Sequence, residues 1–188
     1  FLAGVFLLVA DEEAAFWLLA GVCRRVLPDY HTHLMTGLRV DTALFAEFLP
    51  RCLPALDSHF RELELPVEVF ASQWFLCLFA NVLPTPTLLR LWDSVLCGGG
   101  HTALIAAAMT LLARHEAALC ATEDIAGVYA TLAAHAPATF DSEAFALEMV
   151  TRLDGFDPAA VHRTQLLRTR EERRLAQLRG VLEGTSLR

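Results

Sequence analysis

Apolar residues recur along this chain at helical spacing, and the polar residues between them fall where helices start and stop. Phe1–Val9 is almost unbrokenly apolar and reads as a buried helix. Asp11 follows as an N-cap, with Glu12 and Glu13 at the positive end of the next helix. Phe16, Leu19, Ala20 and Cys23 repeat every three or four positions, which predicts an inward face. Arg24 and Arg25 occupy the last turn, and Pro28 stops the helix. Residues 29–39 read as a loop. Asp41 is expected to cap a helix reaching about Cys52, with Leu44, Phe45, Phe48 and Leu49 as its apolar stripe. Pro50 and Pro54 break or kink this region, and a short helix over 56–63 follows.

Val67–Ala80 is apolar nearly all round, as in a helix covered on several sides. Thr85-Pro86 is a cap-then-proline start. Leu88, Leu91, Trp92, Val95 and Leu96 then form a stripe, closed by Gly98-Gly99-Gly100. Further helices are predicted over 102–119, from Thr122 with Ile125, Val128, Tyr129 and Leu132 inward, and over 140–153. Asp157-Pro158 repeats the cap-proline signature and starts a last, charge-rich helix to about Leu182. No segment alternates like a strand, and no repeat of fixed period appears. The expected fold class is all-α, eight or nine helices with a charged C-terminal helix, and Trp17, Trp74, Phe75 and Trp92 buried.

Composition narrows the function classes. At 188 residues, rich in alanine and leucine, the chain can form one domain with a sizeable core. Through Pro158 there are 19 acidic residues against 8 arginines; beyond it, 3 against 7. An acidic body argues against nucleic acid as partner, because phosphate contacts need a basic face. The basic end reads as a solvated helix face, with acidic lipid or an acidic partner as the alternative. There is no lysine. Cys23, Cys52, Cys77, Cys97 and Cys120 form no C-x-x-C pair and read as reduced core thiols of a cytosolic protein. The N-terminal apolar run is too short to span a bilayer and has no basic leader, so neither an integral membrane segment nor a signal peptide is expected.

Candidate chemistry is sparse. His31-Thr32-His33 beside Asp29 has metal-ligand spacing, but no neighbouring cluster completes a set, so these read as loop histidines. The glycine triplet lacks the G-x-x-x-x-G-K-[ST] spacing and reads as a helix C-cap. No serine sits in a G-x-S-x-G elbow. Neither metal nor cofactor is expected.

Three aromatic clusters carry a resemblance. They are Glu12-Glu13-Ala14-Ala15-Phe16-Trp17, then Trp74-Phe75-Leu76-Cys77-Leu78-Phe79, then Leu83-Pro84-Thr85-Pro86-Thr87-Leu88-Leu89-Arg90-Leu91-Trp92-Asp93. Singly, each reads as ordinary core. In this order and at these separations they resemble the C-terminal half of a TBC domain, from about Phe1 to about Ala134. The resemblance implies that Phe16, Trp17, Trp74, Phe75, Leu76, Phe79, Leu83, Pro84, Leu88, Arg90, Trp92 and Asp93 are structural and set how helices pack. It implies that Asp93 bonds locally or pairs with an arginine. It divides the chain into residues 1–155, the TBC portion, and residues 156–188, a charged extension.

The implied function is GTPase activation for Rab-family small GTPases in vesicle trafficking. The implied partner is a GTP-bound Rab, met in the cytoplasm or peripherally on endomembranes. TBC domains supply an arginine from an Ile-x-x-Asp-x-x-Arg motif and a glutamine from a Tyr-x-Gln motif to the GTPase. Here no aspartate is followed three positions later by arginine, and neither Tyr30 nor Tyr129 is followed two positions later by glutamine. No catalytic residue is therefore carried over, and the chain itself is a regulator rather than an enzyme. Two readings remain: part of a Rab GTPase-activating protein whose other half supplies both side chains, or a non-catalytic helical module that binds a small GTPase or another protein. The first implies an apolar surface where that other half packs.

Overall fold

Alanine- and leucine-rich segments punctuated by caps, prolines and glycines fold here as helix after helix. The computed structural model describes residues 1–153, 164–166, 168–171 and 174–175. Residues 1–153 form ten α-helices, residues 164–166, 168–171 and 174–175 are also helical, and no strand occurs among the described residues. The first two are α1 (Leu2–Val9) and α2 (Glu12–Gly21), the latter running into a π-helical turn, Val22–Val26. Next come α3 (Thr36–Cys52), α4 (Pro54–Glu62) and α5 (Glu68–Leu76). Then follow α6 (Thr85–Ser94), α7 (Gly100–Arg114), α8 (Glu116–Cys120), α9 (Ile125–His135) and α10 (Ser142–Leu153). The last helix expected from sequence, from Asp157-Pro158 to about Leu182, lies largely outside the described residues.

Local chemistry explains several boundaries. Asp11 caps α2 as expected, its carboxylate accepting from the Ala14 N–H at 2.8 Å. Asp124, not Thr122, caps α9, accepting from the Gly127 N–H at 2.7 Å. The start of α6 falls at Thr85, one residue ahead of the expected cap-proline geometry, with Pro84 in the cap position. Pro50 is accommodated near the end of α3, and Pro54 opens α4. The helix expected over 102–119 breaks at His115.

The largest boundary correction concerns α3. It begins at Thr36, so Asp41 is not a cap but an interior helical residue, 1% exposed. The preceding loop turns back so tightly that a Cβ on Gly37 would overlap the Pro28 carbonyl and the Tyr30 ring. Only glycine allows that approach.

The core is centred on α7, whose residues Ala103 through Leu112 are all buried. It packs against α10, α6 and α3, and α3 in turn packs on α4 and α5. Small alanine faces on α7 let these neighbours approach closely. By length and composition the run Thr85–Arg114 would suit a membrane span, but 61% of its most apolar window is buried inside the protein. It is broken by a kink at Cys97 and Gly98.

Aromatic contacts stitch the helices together. Phe6 meets Trp92 at 4.8 Å, Phe45 meets Phe75 at 5.8 Å, and Phe60 meets Phe70 at 5.9 Å between ring centres. Trp74, Phe75 and Trp92 are buried, as their spacing predicts. Trp17 is not: both it and Phe16 are 61% exposed and stack on each other at 5.2 Å. Ala15 and Val22 are buried instead, so the inward face of this segment is rotated away from the expected one. Periodicity groups apolar residues on a face, but it does not say which neighbour covers it.

Candidate functional site

The family-motif residues fall into three structural roles. Trp74, Phe75, Phe79, Leu83, Leu88 and Trp92 are buried, with Leu76 half-buried. Their focus is the turn after α5, where Leu78 (φ 47°) and Phe79 (φ 61°) both take the left-handed conformation. Two consecutive bulky residues there are unfavourable by about 1–2 kcal/mol each. The turn is held from several sides: the Trp92 indole N–H donates to the Leu78 carbonyl at 2.9 Å, and the Phe79 N–H donates to the Trp74 carbonyl at 2.8 Å. The apolar run 67–80 has no glycine to mark the reversal, so its pattern predicts a helix through this turn. Pro84 then sets the start of α6.

Arg90 and Asp93 lie on the exposed side of α6. Arg90 reaches Asp93 at 4.0 Å and binds the Glu143 carboxylate of α10 through Nε, at 2.9 Å, and through its terminal nitrogen. The local pairing expected for Asp93 is present, with Glu143 as a stronger competitor. On α7 and α10, Arg114 makes a two-pronged pair with Glu148 at 2.9 and 3.1 Å.

Phe16 and Trp17 belong to a different feature, an apolar face spread over α1 and α2. Phe1, Leu7, Leu8, Val9, Phe16 and Trp17 are all more than half exposed. In α1, Leu2 and Phe6 are buried in the core and Val5 packs against it half-buried. An apolar surface of this kind marks a contact site.

A buried polar cluster forms around Asp41, a residue whose sequence position predicts a helix cap. Asp41 is buried and takes hydrogen bonds from three residues distant in sequence. These are the Tyr30 hydroxyl, His101 Nδ1 at 2.5 Å and Gln165 Nε2 at 2.6 Å. Full burial and the Asp41 charge push the Tyr30 hydroxyl well above 10.0. The helical phase of Asp41 was a legible signal: it stands three residues after Leu38, three before Leu44 and four before Phe45, on the apolar stripe. His101 and Gln165 also line a cleft of about 560 Å³, together with Arg25, Asp29, Gly98, Gly100 and Arg170.

His31 and His33 are exposed on the loop. The five thiols are free, but the expected core placement holds only loosely: four are half-buried, and Cys97 is exposed in the glycine-rich kink. Burial raises the Cys52, Cys77 and Cys120 thiols. Among the described residues no three His, Cys, Asp or Glu side chains gather around a common point.

Comparison with known proteins follows the same geometry. Residues 1–120 match the Rab-GTPase-TBC domain family. Growth hormone-regulated TBC protein 1 of Xenopus laevis is 37% identical over 118 residues, 62% of this chain and 34% of its own length. Carabin of Mus musculus is 36% identical over 110 residues, 58% of this chain and 24% of its own length. The crystal structure of the Chlamydomonas flagellar RabGAP TBC domain superposes with a TM-score of 0.68 at 28% identity, covering 78% of this chain and 49% of that one. The chain thus spans about a third of the length of the Xenopus laevis relative and about half of the solved domain.

Proposed function

Because this chain belongs to the Rab-GTPase-TBC domain family, we propose that it is the C-terminal helical portion of a GTPase-activating protein for Rab-family small GTPases. The observation that carries the reading is the interlocked motif core, Trp74, Leu78, Phe79 and Trp92, within the matched residues. The exposed apolar face of α1 and α2 supports it, as the surface on which the rest of such a domain would pack. In this reading residues 1–155 are the TBC portion and residues 156–188 a charged extension.

The chemistry divides accordingly. GTP hydrolysis needs positive charge on the phosphates and an oriented water. Neither an Ile-x-x-Asp-x-x-Arg nor a Tyr-x-Gln sequence occurs in residues 1–188. The role of this portion is to hold the adjoining half rigid and to contribute surface for a GTP-bound Rab, acting in vesicle trafficking, in the cytoplasm or peripherally on endomembranes.

The test is single-turnover GTP hydrolysis across a Rab panel. The parent protein is expected to stimulate hydrolysis, and residues 1–188 in excess are not. Stimulation of about a hundred-fold by residues 1–188 alone would overturn this division of labour. The absence of both motifs from this chain also favours a second reading, a non-catalytic helical module. A parent that binds a Rab without accelerating it would select that one.

A further inference from the structure

The cleft beside the Asp41 cluster opens to solvent, with charged groups set in a largely apolar wall, and it has no part in the reading above. Its volume, about 560 Å³, is that of a small-ligand site. Arg25 lines it from the π-helical turn and Arg170 from the C-terminal stretch. Both side chains are exposed, and neither has an ion-pair partner among the described residues. One carboxylate, Asp29, shares the wall with these two guanidiniums. Asp41 lies behind, engaged by three donors. His101 also lines the cleft; Asp41 takes its Nδ1, leaving Nε2 for a further partner.

The remaining wall is bare or apolar. Gly98 and Gly100 have positive φ, and a Cβ on either would meet nothing within 4 Å, so backbone borders open space there. Val26, Pro28, Val95 and Leu96 supply apolar lining. One arginine of the acidic body, where acids outnumber arginines 19 to 8, and one of the arginine-rich C-terminal stretch thus line one cavity, neither with an ion-pair partner among the described residues. Guanidinium forks match phosphate oxygens in pairs, and the cavity exceeds what a bare phosphate fills.

We infer that this cleft binds a phosphate monoester, gripped between Arg25 and Arg170, with its organic remainder along the glycine and apolar wall. The inference stands independently of GTPase activation. The same chemistry has two sources, a soluble phosphate ester and a lipid headgroup. The full chain is titrated calorimetrically with glycerol 3-phosphate. It is also sedimented with phosphatidylcholine vesicles carrying phosphatidic acid or the same share of phosphatidylserine.

Arg25→Ala and Arg170→Ala are each expected to weaken binding about tenfold, and Arg61→Ala, the same charge change outside the cleft, less than about twofold. Arg25→Lys, which keeps the charge but loses the fork, should fall between. Circular dichroism checks that each variant folds. Binding to glycerol 3-phosphate alone assigns a soluble ester, and binding to phosphatidic acid vesicles assigns a lipid. Failure to bind either probe, equal binding to phosphatidylserine, or an equal loss in Arg61→Ala overturns the inference.

Discussion

At the scale of single residues, Asp41 organises more of this protein than its place in the sequence suggests. A buried carboxylate is tolerated only when its oxygens are supplied with donors, and Tyr30, His101 and Gln165 do this. Asp41→Ala leaves the Tyr30 hydroxyl and the Gln165 amide without their acceptor. It should cost about 3–5 kcal/mol by urea denaturation, against about 1–3 kcal/mol for Tyr30→Phe, which removes one donor. Tyr30 also dictates an alkaline limit. Its folded-state pKa is raised above 10.0 by burial first and by the Asp41 charge second. The stabilisation is therefore complete below pH 10 and is lost as pH rises beyond it. Denaturation midpoints measured from pH 8 upward should fall above about pH 10 in the parent chain and less steeply in Tyr30→Phe.

At the scale of helices and turns, the three aromatic clusters differ in what they hold. Trp92 locks α6 to the left-handed turn at Leu78 and Phe79. Trp92→Ala should cost about 3–5 kcal/mol through cavity formation. Trp92→Phe, which keeps a ring but leaves the Leu78 carbonyl unbonded, should cost about 1–3 kcal/mol. Trp17→Ala, on an exposed ring, should change the stability of residues 1–188 by under about 0.5 kcal/mol. The same denaturation series checks all three.

The α7–α8 break is a second sensitive junction. His115 stacks on His135 of α9 at 4.9 Å, and its Nε2 is buried without a partner. Its pKa is lowered from 6.5 by burial, then by His135 and Arg114. The group's contribution is thus present above pH 6.5 and is lost as pH falls through the lowered value. Thermal scans should show stability dropping below about pH 6.5, and His115→Asn should flatten that drop.

At the scale of the whole molecule, the balance of buried and exposed surface is uneven. Core burial around α7 is complete, while α1 and α2 present Leu7, Leu8, Val9, Phe16 and Trp17 to solvent. Residues 1–188 should bind a hydrophobic dye such as anilinonaphthalene sulfonate. Leu8→Asp with Trp17→Ser should reduce that fluorescence several-fold without lowering the unfolding midpoint. A parent protein in which the face is covered should bind much less dye per chain.

The sequence by itself determined the helical class, most helix ends and the aromatic core, because these depend on local chemistry. The Asp11 cap, the proline starts and the spacing of Leu88, Leu91 and Trp92 all act within a turn or two. Only the tertiary structure decided which face of α2 would be covered, and that the α5 run would reverse at Leu78. It also moved Asp41 from helix cap to buried hub. The partners of Asp41 lie 11, 60 and 124 positions away, and Arg25 and Arg170 meet the same cleft from opposite ends of the chain. Contacts over such separations leave no periodic trace, since they are set by how helices stack and not by what any one helix contains.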